Sequence, residues 1–167
     1  MSRIVTLVLA AALLAGCNGG KMAQIEQKNK EIAKNGYAQM AAKNMDAFIK
    51  LLTPNFVDHN PEPGQKPGVE GVREAFDHMF AAFPDMTIQV DQLVAEGDLV
   101  TAKVTMTGTQ DGPFHGMPAS GKQFRIEGFD MLRLVDGKVS ERWGVFDNLS
   151  MMMQLGAIPS PEETAKN

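Results

Sequence analysis

The sequence predicts an α+β fold in which N-terminal helices pack on a strongly curved antiparallel sheet. The first observation is that residues 22–52 are dominated by Ala, Lys, Gln and Glu, which favour helices. The second is that apolar and polar side chains alternate from residue 86 onwards, first at Met86, Ile88 and Val90, as in half-buried strands. Helices over one face of a curved sheet leave a cup open at one end, the usual place for a small ligand.

The first helical stretch, residues 22–52, has two candidate breaks, Gly36 and Asn44. Asn is a favoured N-cap, so Asn44 is suited to begin a second helix over residues 45–52. Asp46 then lies in its first turn, where a negative charge is favourable.

Residues 53–83 connect these helices to the sheet. Thr53-Pro54-Asn55 ends the preceding helix, residues 56–60 form a short strand, and the Pro- and Gly-rich residues 61–68 form a loop. Residues 69–83 are amphipathic at helical spacing, with His78 on the polar face. The apolar face consists of Val72, Phe76, Met79, Phe80 and Phe83.

The sheet segments follow in order. After the alternating residues that begin at Met86, we predict a hairpin turn at 96–98 and a long connection at 108–121. Two further strands follow at 124–135 and 138–147, and then a helix at 148–155 that ends at Gly156. The turn between the last two strands is Asp136-Gly137, a strong signal for a hairpin.

The last strand ends in E-R-W-G-V-F-D, residues 141–147. Side chains alternate along a strand, so Asp147 is predicted to share a face with Val139, Glu141, Trp143 and Val145. Burial on such an apolar face raises the pKa of a carboxyl group, so Asp147 is a candidate acid/base. The alternative is that Asp147 caps the following helix.

Composition narrows the classes of function. The chain has 167 residues, which fits one domain, and a net charge of −4 without a basic run, which argues against a nucleic-acid partner. The 12 Met residues indicate either irregular core packing or an adaptable apolar pocket.

Three further residues are candidates for the pocket. His59 lies beside the Pro/Gly loop, where it is either a proton carrier or an anchor for that loop. His115 lies in the long connection and is either at the mouth of the cup or solvated. Asp130 is in phase with the core residues of its strand. It is predicted to pair with Arg142, Arg125 or His59, or to be a second acid in the pocket.

Several kinds of site lack their sequence signals. The histidines are not at metal-ligand spacing, and no nucleotide-binding or G-x-S-x-G motif occurs. The sequence therefore favours cofactor-free acid/base chemistry or binding alone. Asp58 and Asp85 are predicted to be cap or turn residues.

The N-terminus has the pattern of an export signal. Arg3 precedes an apolar run at 4–14 that is too short to span a bilayer. The next residues, L-A-G-C, resemble the lipobox of bacterial lipoproteins, which implies lipidation of Cys17 and anchoring to a bacterial membrane outside the cytoplasm. The alternative is an ordinary secretory signal with a chance Cys.

The ordered motifs of the chain resemble those of the SnoaL-like polyketide cyclase family, often labelled ester cyclases. They are F-V-D-H-N-P (56–61), A-F-P-D-M (82–86), A-E-G-D (95–98), V-T-M-T-G-T (104–109), D-G-K (136–138), E-R-W (141–143) with Asp147, and Q-L-G (154–156). The resulting organisation is a signal at 1–17, a tether at 18–22, a SnoaL-like domain at 23–158 and a polar tail at 159–167.

This resemblance implies the nuclear-transport-factor-2-like fold with a cone-shaped pocket. It also implies ring closure by intramolecular aldol condensation of a polyketide ester, with neither metal nor cofactor. Asp147 would be the general acid/base and His59 a proton shuttle or oxyanion donor. The residues expected to shape or contact the substrate are Trp143, His115, Asp130, Phe83 and Met106.

Three hypotheses remain open from the sequence. The first is an exported cyclase, aldolase or isomerase acting on a small hydrophobic carbonyl compound. The second is a lipoprotein of the same fold that binds a small apolar ligand without transforming it. The third is an interaction module, since open sheet faces in this fold commonly pair into homodimers.

Overall fold

The structure, a computed structural model, describes the backbone of residues 2–159 and the side chains of residues 19–159. The side chain of Cys17, predicted to be lipidated, and the predicted tail from residue 160 onwards lie outside the described residues. Within the described part of the chain, no helix combines the length and the apolar character that a membrane span requires.

The chain forms four helices and five strands over its described residues. The helices are α1 (Ser2–Ala41), α2 (Met45–Ile49), α3 (Gly68–Ala82) and α4 (Asn148–Leu155). The strands are β1 (Leu52–Asp58), β2 (Thr87–Glu96), β3 (Leu99–Thr109), β4 (Gln123–Val135) and β5 (Lys138–Phe146).

The predicted α+β class is confirmed, with one difference in the sheet. The strand order is β1-β5-β4-β3-β2, and all neighbours pair antiparallel except β1 and β5, which are parallel. The long connection through α3 and the three intervening strands allows this pairing, because no hairpin constrains the direction of β1. The sheet is therefore mixed rather than wholly antiparallel.

The helical segments differ from the prediction at their ends. Helix α1 runs through residues 18–22, where a tether is predicted, and through Gly36, where a break is predicted. The break comes at Asn44, whose side chain accepts a hydrogen bond of 3.3 Å from the amide of Ala47, as predicted. Strand β1 begins already at Leu52 because Pro54, which lacks an N–H, is tolerated on an edge strand.

A bulge at Ser140 decides which side chains of β5 face the helices. Arg133 pairs with Glu141 and Leu134 with Val139, so the register of the two strands skips Ser140. One extra residue inverts the alternation of side chains. The prediction of one shared face is therefore wrong.

The two faces of β5 follow from this inversion. Val139 is buried under the helices, and after the bulge Arg142 and Phe146 face the same way and line the internal cavity. Val145 lies on the outer face and is 72% exposed, and Trp143 shares that outward phase.

The hydrophobic core has two parts, one under α1 and α3 and one under α4. Phe83, predicted to contact substrate, belongs to the second part and is 0% exposed. Its ring packs edge-on against Phe114 and Phe124, each at 4.9 Å between centroids. Phe83 is therefore a core residue. His78 is exposed, as predicted.

Candidate active site

The concave face of the sheet and the helices enclose a cavity of about 370 Å³. Most of its wall is apolar, and Met106 is part of it, as expected. Its polar side chains form a cluster in the wall and a group near the loops. They are Tyr37, Asp58, Asn60, Glu62, Gln65, His115, Asp130, Arg142 and Asn148.

The carboxylate of Asp130 is the centre of the wall cluster and is 5% exposed. Its Oδ2 accepts a hydrogen bond of 2.9 Å from the Tyr37 hydroxyl on α1. Its Oδ1 accepts from Nε of Arg142 at 2.8 Å, and Nη2 of Arg142 lies at 2.8 Å from the same oxygen. The predicted pairing of Asp130 with Arg142 is confirmed, and Asp130 also faces the cavity.

A second carboxylate shares the same guanidinium. Nη1 of Arg142 donates to both oxygens of Asp58, each at 3.1 Å. Asp58 also accepts from the amide of Asn60 at 3.1 Å, so the predicted turn role holds alongside an ion pair that was not predicted. Two carboxylates and one guanidinium leave one negative charge in the cluster when both acids are ionised.

Burial raises the pKa of Asp130 above its ordinary value. The Arg142 guanidinium and the Tyr37 hydroxyl oppose this rise by stabilising the charged form, and the charge of Asp58 adds to it. Burial and then the charge of Asp130 raise the pKa of Tyr37 well above its ordinary value, so the phenol remains a donor. Asp130 is therefore a stronger proton acceptor than an exposed aspartate.

Glycine at position 144 makes room for this cluster. A Cβ atom there would lie 2.5 Å from Oδ1 of Asp130 and 2.2 Å from Nη2 of Arg142. Any side chain at Gly144 would therefore displace the ion pair.

The group near the loops contains His115 and Glu62, from two different loops. Nε2 of His115 lies 4.0 Å from Oε2 of Glu62, and both residues line the cavity. A two-residue turn between Phe114 and Met117 presents His115, which has a φ of +46°. His115 thus lines the cavity, one of the two positions that the sequence left open, and its contact with substrate stays a prediction.

Asp147 is not in the apolar environment predicted for it. Its side chain faces solvent and caps α4, accepting from the amide of Ser150 at 3.0 Å and from its hydroxyl at 2.6 Å. These two hydrogen bonds lower the pKa of Asp147. The bulge at Ser140 places Asp147 outside the concave face, so the capping alternative describes this residue.

His59 and Trp143 also lie outside the cavity, on the outer face of the sheet. Their rings stack in parallel with centroids 4.4 Å apart, and Nε2 of His59 lies 2.8 Å from Oε2 of Glu141. Arg133 lies over the Trp143 ring at 5.6 Å. The prediction that His59, as proton shuttle or oxyanion donor, and Trp143, as pocket wall, lie in the cavity is therefore wrong.

Tyr37 is the residue of the cluster that sequence reasoning missed. Helical spacing marks it only as an apolar position of α1, and it is indeed buried. The signal that could have found it is a hydroxyl on the buried stripe of a helix, because a buried Tyr O–H requires a hydrogen-bond partner.

Comparison of the sequence with known proteins identifies a family. Residues 31–155 match the model of the SnoaL-like polyketide cyclase family. Aklanonic acid methyl ester cyclase of Streptomyces peucetius is 32% identical over 116 residues, which are 68% of this chain and 78% of that protein. The cyclase of the same name from Streptomyces sp. strain C5 is 33% identical over 116 residues, which are 68% and 70% of the two chains.

Solved structures agree with this assignment. TsrD from Streptomyces laurentii superposes with a TM-score of 0.72 at 30% identity, covering 79% of this chain and 97% of TsrD. A protein from Jannaschia sp. CCS1, described as SnoaL-like, superposes with a TM-score of 0.71 at 28% identity, covering 81% and 96% of the two chains. The chain therefore belongs to the SnoaL-like polyketide cyclase family.

Proposed function

We propose that this protein catalyses cofactor-free ring closure or isomerisation of a small hydrophobic carbonyl compound, with Asp130 as the general base. The observation that carries the proposal is the buried Asp130 carboxylate, which lines a mostly apolar cavity of about 370 Å³. The relatives named aklanonic acid methyl ester cyclases support an aldol-type cyclisation.

The chemistry requires removal of a proton from the carbon next to a carbonyl group. Each carboxylate oxygen has two lone-pair sites, so Asp130 can accept that proton while Tyr37 and Arg142 remain bound. The resulting enolate carbon attacks a second carbonyl carbon of the same molecule, one C–C bond forms, and the proton ends on the new alkoxide. His115 lines the same cavity, and we propose that it donates a hydrogen bond to that oxygen.

The direct test is Asp130→Asn, assayed with aklanonic acid methyl ester as the probe. Asn keeps the size of the side chain and removes its basicity, so we expect turnover to fall at least about 100-fold. The matched control is Asp85→Asn, because Asp85 is an exposed carboxylate that binds Thr109. Full turnover of Asp130→Asn, in a variant that is folded, would exclude this mechanism.

A second candidate function is ligand binding without turnover. It is favoured by the fact that Asp130 and Arg142 already satisfy each other, as a structural ion pair does. A pure binding protein would retain a co-purifying hydrophobic ligand, and Asp130→Asn would leave its affinity nearly unchanged.

We also propose that the protein is exported and anchored through a lipid on Cys17. The L-A-G-C sequence after an apolar run supports this, and incorporation of a labelled fatty acid by the wild type but not by Cys17→Ser would test it. A wild-type chain that takes up no label would contradict lipidation.

We further propose a homodimer formed through the outer face of the sheet. Val57, Phe129 and Val145 are exposed there, and Phe129 pairs directly with Val145 across β4 and β5. We expect Val145→Lys to shift sedimentation from dimer to monomer. Val135→Lys at the β4–β5 turn is the control, since Val135 is exposed but lies at the end of the hairpin.

A further inference from the structure

The guanidinium of Arg142 is divided between two acids that approach it from different strands. Asp58 is the last residue of β1 and is paired in register with Arg142 on β5. It takes Nη1 through both of its oxygens, whereas Asp130 receives Nε and Nη2 on Oδ1 alone. The second oxygen of Asp130 is thereby left to the Tyr37 hydroxyl and the cavity.

We propose that Asp58 is a positioning residue that holds one arm of the Arg142 guanidinium and so keeps Asp130 available as a proton acceptor. The proposal rests on the proposed function of Asp130 as the general base. In this proposal Asp58 orients Arg142 and does not itself accept or donate the proton.

The geometry of arginine gives the physical reason. A guanidinium prefers to engage both oxygens of one carboxylate through two parallel hydrogen bonds. Such a pair on Asp130 would occupy both of its oxygens and compete with Tyr37. The 3.1 Å contacts from Nη1 to Asp58 fix the guanidinium in another orientation.

Charge acts in the same direction as geometry. Asp130 faces Tyr37 on α1, Arg142 on β5 and, across the guanidinium, Asp58 on β1, while its partner on β3 is the uncharged Ala102. The negative charge of Asp58 offsets part of the positive charge that Asp130 would otherwise meet. It therefore raises the pKa of Asp130, in addition to the larger effect of burial.

Asp58 is itself held firmly enough for this role. Its side chain is 8% exposed and accepts from the amide of Asn60 at 3.1 Å. The Oδ1 of Asn60 in turn accepts from the amide of Gly144, the residue that leaves space for the ion pair. The loop after β1 and strand β5 thus fix the acid and the guanidinium together.

The test measures the titration of Asp130 directly, by carboxyl ¹³C NMR on the folded chain, with the signal assigned by its loss in Asp130→Asn. In Asp58→Asn we expect the midpoint of Asp130 to fall, because the like charge across the guanidinium is removed. The acid limb of kcat/KM for aklanonic acid methyl ester should move by the same amount, because both report the same base.

Three further variants make the result specific. Asp58→Ala removes the charge without an amide NH₂ beside the guanidinium, and it replaces the Asn variant if that variant does not fold. Asp58→Glu restores the charge and should return the midpoint towards that of the wild type. Asp85→Asn, at a distant exposed carboxylate, should leave the midpoint unchanged.

An Asp130 midpoint that stays constant in folded Asp58→Asn or Asp58→Ala would overturn the proposal. A lowered midpoint supports the coupling of the two acids, whether or not the wild type converts the probe. Failure of the wild type to convert the probe would count against the proposed function alone. The failure of one proposal can therefore be distinguished from the failure of the other.

Discussion

Tyr37 on α1 donates a hydrogen bond of 2.9 Å to Asp130 on β4, joining residues that are 93 positions apart in the sequence. This contact connects the helical layer to the concave face of the sheet at the polar centre of the cavity. It holds a phenol and a carboxylate in surroundings that disfavour charge on both.

The first prediction concerns the titration of Tyr37, which is the only tyrosine of the chain. Burial raises its pKa in the folded protein well above the ordinary value of 10.0. The neutral phenol therefore stabilises the folded state, and this contribution is fully present below pH 10.0, the ordinary pKa of the unfolded chain. This stability is lost as the pH rises through the folded pKa. We expect the phenolate absorbance near 295 nm to appear only above pH 10 and together with unfolding.

The control for this titration is the chain in denaturant, where the phenol should titrate at its ordinary pKa. Tyr37→Phe should remove the absorbance change and flatten the alkaline loss of stability. A reversible titration of the folded protein near pH 10 would show that Tyr37 is exposed and would contradict the contact with Asp130.

The second prediction compares two glycines. Gly144→Ala places a Cβ atom 2.5 Å from Oδ1 of Asp130, so we expect it to break the buried ion pair and to lower the free energy of unfolding by about 3 kcal/mol or more. The Cβ atom of Gly36→Ala meets its nearest neighbour at an ordinary 3.7 Å within helix α1. That variant should gain about 0.5–1 kcal/mol from reduced backbone freedom. Chemical denaturation measures both, and equal stability of the two variants would contradict the packing around Gly144.

Part of the site could be predicted from the sequence because β4 pairs with β3 without a register shift. The simple alternation of side chains therefore places Asp130 correctly among the inward-facing residues. It also follows that a buried acid requires a partner, and Arg142 was one of the partners expected. The fold class could be predicted for a similar reason, since α3 and the strands have clear periodicities.

The rest could not be predicted because it depends on Ser140, which the register of β4 and β5 skips. The bulge arises from the pairing of two distant strand segments, and the letters around Ser140 carry no turn or glycine signal for it. All later side chains of β5 change face, so Trp143 and Asp147 lie outside. The ion pair between Asp58 and Arg142 is not predictable in this way, because a turn residue and an ion-pair residue look alike in sequence.

The third prediction follows from the position of Trp143 on the outer face. Trp143→Phe should leave the affinity of the cavity for a hydrophobic dye such as ANS unchanged within about twofold, since surface substitutions have small effects. Met106→Ala changes the cavity wall and should weaken dye binding. Fluorescence titration measures both. Weakening by Trp143→Phe equal to that by Met106→Ala would place the indole in the ligand site.

The last prediction separates the structural role of Asp147 from a catalytic one. Asn is as good an N-cap as Asp, so we expect Asp147→Asn to keep both turnover and melting temperature, whereas Asp147→Ala keeps turnover but melts earlier. Hydrogen bonds from Ser150 lower the pKa of Asp147, so its stabilising effect is present above the ordinary carboxyl pKa. That effect is lost as the pH falls through the lowered value. The melting-temperature difference between wild type and Asp147→Ala should therefore shrink in acid.

The corresponding difference between Asp147→Asn and Asp147→Ala should persist in acid, because the amide cap does not titrate. Turnover provides the decisive comparison, with Asp130→Asn measured in parallel. If Asp147→Asn lost as much turnover as Asp130→Asn while its melting temperature stayed constant, the carboxylate of Asp147 would have to reach the reacting atoms. Helix α4 would then have to release its cap during the reaction, since both oxygens of Asp147 are bound to Ser150.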